Sequence, residues 1–457
     1  MTMLSPGSHR LPDLASDGAV LGALVEVEVA WVRTQERLGL VTRAVTDAVS
    51  ALGATVGRAV DEIARDAEPG GNPVIPVVHA LRRAVGATPG ASTAVHRGLT
   101  SQDVVDTALM ILAHRALGAA LESLVRAADA AAGHARAHRH TVMSARTLGQ
   151  PALPTTFGAK AAGWLGALDD AIDELRTVRA SLPAQCGGAV GTLSLVEALT
   201  PGRALEAAEI FADEVGLVAA RPWHTDRSPV TRLGDALTRT ADALAKVAGD
   251  VILLSRPEIG EVAEPAADGR GGSSTLPHKR NPVLSVLVRA VGIEAPHLAA
   301  TLHTAAALAA DERPDGAWHA EWGALTRLLS RVPVAAAQLA DVLCGLEVHN
   351  DAMSRNVRAV GPALVAERIL QLLPSLPGGE ALVPDVRDAL RRGGSGDEVR
   401  ALLAEGLDGR GPEGEALDAR VDDLLDPAAY LGVAALLVDQ ALERHASHRD
   451  RAGSVTR

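Results

Sequence analysis

Aromatic side chains are scarce in this chain. Phe, Tyr and Trp make up 2% of its 457 residues, although 47% are hydrophobic. Ala, Leu and Val carry the apolar content, and small aliphatic residues in long stretches favour closely packed helices over a sheet sandwich. Cysteine is as sparse. Cys186 and Cys344 lie too far apart in sequence for a metal-ligand spacing, so no metal is expected, and both read as reduced, cytosolic core thiols. Positive charge is in deficit: 44 Lys and Arg against 56 Asp and Glu leave a net charge of −12, which argues against nucleic acid as the main partner. Residues 1–10 contain no apolar segment of the signal-peptide kind, and no run of about eighteen apolar residues escapes interruption by charge. The expectation is a soluble, cytoplasmic chain with no membrane partner.

Helical patterning dominates. Residues 17–66 read as mostly helical, with Leu21, Leu24, Val25, Val29 and Val32 on one stripe and Glu28 intruding on its apolar side. A short helix is expected over 75–85 and a loop over 86–101. Further helices are expected over 103–137, 155–180, 202–215, 232–254, 282–310 and 325–346, with Gly and Pro between them. The fold class is therefore all-α: a long-helix bundle over 103–350, an N-terminal helical domain over 1–102 and a small C-terminal helical domain over 351–457. No internal repeat is found.

The most informative stretch is 269–282, Gly-Arg-Gly-Gly-Ser-Ser-Thr-Leu-Pro-His-Lys-Arg-Asn-Pro. Such a Gly/Ser/Pro cluster is ordinarily a surface loop. Here it carries the hydroxyls of Ser273 and Ser274, the ammonium of Lys279 and the amide of Asn281. That set suits removal of a proton from carbon beside a carboxylate: an ionised hydroxyl is the base, and the cation and amide hold the charge that builds on the carboxylate. A second region, His96-Arg97-Gly98-Leu99-Thr100-Ser101-Gln102-Asp103, places hydroxyls at the positive end of a long helix, where an anion is favoured. Without further context it is equally an N-cap with a solvated His96. A third, 145–158, is by itself only a Pro-rich break.

These three regions resemble the fumarase/aspartase superfamily. The loop follows the pattern Gly-Ser-Ser-x-Met-Pro-x-Lys-x-Asn-Pro, with Leu276 at the Met place. The resemblance implies that Ser273 is the catalytic base, assisted by Lys279, with Ser274 and Asn281 among the binding groups. It implies that the Thr-Ser-x-Asp segment of Thr100, Ser101, Gln102 and Asp103 grips a substrate carboxylate, and that Thr147 and Gln150 are binding donors, as in Gly-Arg-Thr-His-x-Gln-x-Ala-x-Pro. Arg139, Arg146 and Arg203 are candidates for the arginine near the leaving group, and His96 for binding. Segments 222–227, 313–322 and 426–431 resemble the branch that contains 3-carboxy-cis,cis-muconate cycloisomerase. The superfamily implies a homotetramer whose sites each draw on three subunits, and no cofactor.

The departures are informative. Superfamily members that expel a poor leaving group keep a His after the Thr of the third region, and the cycloisomerases keep one after the Gln. Here those places hold Leu148 and Pro151. Hydroxide and amines need a proton as they leave, whereas nitrite and carboxylates do not. His96, His224 and His278 lie within motif regions, where a binding or orienting role is expected over that of the lost acid. The favoured reading is β-elimination from a succinate-type dicarboxylate, nitrosuccinate to fumarate plus nitrite. Lactonisation by a carboxymuconate cycloisomerase is the alternative, and a non-catalytic helical scaffold the remaining one.

Overall fold

The computed structural model describes residues 3–12, 14–52, 60–267, 269–272, 275–276, 279–407 and 417–455, without the side chains of 417, 418 and 450–455. Ser273, Ser274 and His278 lie outside the described residues. The longest helices are α1 (Asp17–Arg37), α2 (Ser101–Ala137), α3 (Phe157–Ala180), α4 (Ser228–Leu254), α5 (Val283–Ala307) and α6 (Gly316–Cys344). The fold is all-α, as the composition requires. Helix α6 starts well before the expected 325, because Gly316 and the Trp-rich turn after it continue into the helix.

The expected break at 145–158 is instead an antiparallel hairpin, β1 (Val142–Thr147) and β2 (Gln150–Thr156). Pro151 and Pro154 suggest a breaker in a helix, but a two-stranded ribbon has outer edges that need no backbone donor, so Pro is tolerated there. A second small ladder pairs β3 (Val262–Ala263) with β4 (Glu347–Val348).

The chain divides into two compact units. One comprises Met1–Val125, Asp170–Ala248 and Leu284–Ala340; the other comprises Arg126–Asp169, Gly249–Val283 and Asp341–Arg457. In the first unit, Val104, Met110, Leu112, Leu117 and Leu124 of α2, Leu233, Leu237 and Leu244 of α4, and Leu325, Leu329 and Val332 of α6 are buried. Aliphatic side chains of this size release on the order of 2 kcal/mol each on burial. Within the second unit, Val365, Ile369, Leu373, Val386, Val399, Leu403 and Val421 make a separate small core.

One sequence expectation needs correction. Cys186 is buried, but Cys344 is exposed, so only one of the two free thiols is a core residue. Helices α2 and α5 are long and apolar enough by composition to cross a membrane. Burial explains this for α2. In α5, however, only a third of the most apolar stretch is buried, with Val286 51% and Ile293 64% exposed.

Candidate active site

In the first unit the turn that enters α2 is held by a buried carboxylate. Asp103 is fully buried, and its Oδ2 accepts the backbone N–H groups of Thr100 at 3.0 Å and Gly188 at 2.9 Å. Its Oδ1 accepts from Gly187 N at 2.9 Å and lies 2.9 Å from Nε2 of the buried His224. Thr100 and Asp103 stand at the spacing of a capping box, in which an acidic side chain reaches back to the N-cap amide. Only that half of the box is made. Among the described residues the hydroxyls of Thr100 and Ser101 form no hydrogen bond, and both residues are half-buried at the positive helix end.

Gln102, expected to bind substrate, is buried and engaged within the unit. Its amide donates to the His224 carbonyl at 2.8 Å and to Asp106 at 3.2 Å, and its carbonyl accepts from Arg313 at 3.2 Å. Arg313 also donates to the Ala189 carbonyl at 2.5 Å; among the described residues it has no carboxylate partner. Beneath the turn, Arg227 is buried between Asp106 and Glu321, at 2.7 Å from each. Burial would lower the Arg227 pKa, but the two carboxylates outweigh it and raise it; burial pushes the Glu321 carboxyl up in spite of Arg227. His96 sits in a left-handed conformation with its ring 2.7 Å from Glu28. Glu28, which broke the apolar pattern of α1, is fully buried to receive it.

In the second unit Thr147 and Gln150 face each other across a two-residue turn. Leu148 and Gly149 have φ of 51° and 81°, the sign pattern of a type I′ turn. Thr147 and Gln150 are both exposed, and Leu148 is 103% exposed. Arg146 points away from this tip. It makes a bidentate pair with the fully buried Glu261, both contacts at 2.9 Å, and Asn356 adds a third at 2.8 Å. The residue after Glu261 opens β3; its partner strand β4 carries Glu347, 3.0 Å from Arg280 of the 269–282 loop. Arg280 holds the Glu347 carboxyl below its usual range.

The described part of that loop is closed on itself. Asn281 donates its backbone N–H and its side-chain amide to the Gly271 carbonyl, at 2.9 and 3.0 Å. Gly271 has φ of 70°, and an added Cβ would lie 2.6 Å from the Asn281 carbonyl oxygen, so a glycine is needed there. Lys279 is exposed.

The structure therefore brings Thr100 and Ser101 together, and separately Thr147 with Gln150 and Lys279 with Asn281. Of the candidate arginines, Arg139 is paired with Asp439 at 2.8 Å and Arg203 with Glu206 at 2.7 Å, while Arg146 braces the hairpin. Asp103 and His224 both stand in motif regions of the sequence, but their contact and the twin glycines at 187 and 188 are visible only in the fold; the Thr-x-x-Asp spacing is the one local signal.

A lyase family model matches residues 22–295. A nitrosuccinate lyase of Streptomyces davaonensis is 42% identical, over 98% of this chain and 97% of that protein. A 3-carboxy-cis,cis-muconate cycloisomerase of Pseudomonas aeruginosa is 39% identical, over 94% and 93%. The crystal structure of a 3-carboxy-cis,cis-muconate lactonizing enzyme from Pseudomonas putida is 31% identical and superposes with a TM-score of 0.85, over 97% of this chain and 98% of that one.

Proposed function

Since this chain is a member of the fumarase/aspartase superfamily of lyases, we propose that its reaction is the loss of nitrite from 2-nitrosuccinate to give fumarate. The observation that carries this reading is the hairpin tip. Thr147, Leu148, Gly149, Gln150 and Pro151 include no imidazole, carboxyl or ammonium group to protonate a leaving group, which supports one that is stable as an anion. Similarity to the Streptomyces davaonensis nitrosuccinate lyase supports the same choice.

In this mechanism Thr100 and Ser101 hold one carboxylate, and Thr147 and Gln150 donate to the substrate from the hairpin. Ser273 takes the proton from the carbon adjacent to the carbon bearing the nitro group. The electron pair moves onto the neighbouring carboxylate, where Lys279, Asn281 and the loop amides stabilise the aci-carboxylate. That pair then returns to form the carbon–carbon double bond as the C–N bond breaks, and nitrite carries the electrons away. No step calls for a cofactor.

Four copies of the chain are the proposed working unit, with each site assembled from three of them. Two features support this: the hairpin donors face outward, and α5 leaves Val286 and Ile293 uncovered.

The test is direct. The protein is incubated with 2-nitrosuccinate, and fumarate and nitrite are measured in equal amounts. Formation of a lactone from 3-carboxymuconate instead would favour the alternative that the 39% identity to the cycloisomerase supports. Silence with both would point to a scaffold.

A further inference from the structure

The Asp103–His224 pair lies behind the proposed carboxylate clamp and has no place in the reaction steps. We propose that the two are positioning residues, which set the Thr100–Ser101 hydroxyls against the 187–191 turn and so govern affinity for the substrate's carboxylate. The inference rests on the reading of Thr100 and Ser101 as that clamp.

Three observations carry it. First, one buried carboxylate joins segments far apart in sequence. It takes the amides of Thr100, Gly187 and Gly188 and the ring of His224, each within 3.0 Å. A buried acid with that many donors is fixed in place, and it fixes what it holds. Second, the 187–188 turn is shaped around the imidazole. A Cβ on Gly187 would come within 2.7 Å of His224 Cε1, and Gly188 has φ of 69°, so neither position suits a larger residue. Third, Asp103 satisfies the Thr100 amide, which a helix start otherwise leaves to water or a hydroxyl. The hydroxyls of Thr100 and Ser101 are thereby released from capping. Gln102 completes the brace by donating to the His224 carbonyl.

The experiment compares full-length wild type with His224→Leu, His224→Gln and Gly187→Ala. Succinate, a dicarboxylate with nothing to eliminate, is titrated by calorimetry. KM and kcat are measured with whichever of 2-nitrosuccinate and 3-carboxymuconate the wild type converts, and unfolding midpoints are recorded alongside. His224→Leu removes the donor to Asp103 and is expected to weaken succinate and raise KM by about tenfold, with a smaller change in kcat. His224→Gln, which keeps a donor, should recover affinity to within about threefold of wild type. Gly187→Ala perturbs the pair from the other side, so a failure of His224→Leu to fold leaves the question answerable.

Unchanged succinate affinity in both His224→Leu and Gly187→Ala overturns the proposal. So does a loss of affinity that merely follows the unfolding midpoint, with glutamine no better than leucine. A wild type that binds succinate but converts neither substrate overturns the proposed reaction and leaves this inference to the succinate data. A wild type that binds no dicarboxylate at all removes both.

Discussion

The turn into α2 and the tip of the β1–β2 hairpin both carry hydroxyl and amide donors, yet they are built in opposite ways. The turn is secured from within its own unit: Asp103, His224, Gln102 and Arg227 are all buried and hydrogen-bonded beneath it. The tip is secured at its root, where Arg146 pairs with Glu261, and beyond that root Thr147, Leu148 and Gln150 are exposed to solvent. A donor held from below is oriented before any ligand arrives. A donor on an exposed tip is oriented only when something closes over it. Affinity is thus expected to live at the turn, and discrimination among leaving groups at the tip.

The largest test of this division bypasses both regions. Ser273→Ala should cost about 10³-fold in kcat, within the range for a lost general base, while succinate binding stays near wild type. Near-normal turnover would remove Ser273 from its role. Next comes the root of the hairpin. Glu261→Ala leaves the half-buried Arg146 guanidinium without its main partner and should cost about 2–3 kcal/mol in chemical denaturation, discounted because Arg146 keeps some contact with water. If stability is unchanged, the tip is not held from its root.

A smaller effect is expected at Leu148. A leucine in the left-handed region costs roughly 1 kcal/mol, whereas asparagine is favoured at that position of a type I′ turn. Leu148→Asn should therefore raise the stability of the chain by about that amount and lower turnover. A gain in stability with unchanged turnover would show that the leucine does nothing at the tip.

The smallest effect is one of pH. Burial, then Arg179, lowers the His114 pKa; burial, then His134, lowers that of His138. Both are depressed below the ordinary value of 6.5, so their contribution is fully present above it and is lost as pH falls toward the folded values. Thermal midpoints taken downward from pH 7 should decline slightly and recover on return. His138→Asn should flatten part of that slope.

Much of the architecture could be read in the sequence, because helix periodicity and punctuation by Gly and Pro are local signals. The expected 103–137 and 155–180 became 101–137 and 157–180. The hairpin escaped because two prolines read as breakers when the partner strand is unknown. Glu28 was noticed as an anomaly, and its reason, His96, lies on a segment far along the chain. The candidate site divides in the same way. Thr100, Lys279 and Asn281 stand in contiguous motifs. The engagement of Gln102, the bracing role of Arg146 and the Asp103–His224 contact depend on residues that are neighbours only after folding.

The register of the hairpin has one more implication. Thr147 pairs with Gln150, so the side chains at 148 and 149 stand outside the ladder, and the turn asks only that both positions accept a left-handed backbone. Exchanging those two residues alters which chemistry is offered to a departing group while the scaffold that presents it is conserved. In the proposed site, reactivity can therefore change at this tip, through position 148 and through Pro151 next to Gln150, with no need to rebuild the helices that carry it.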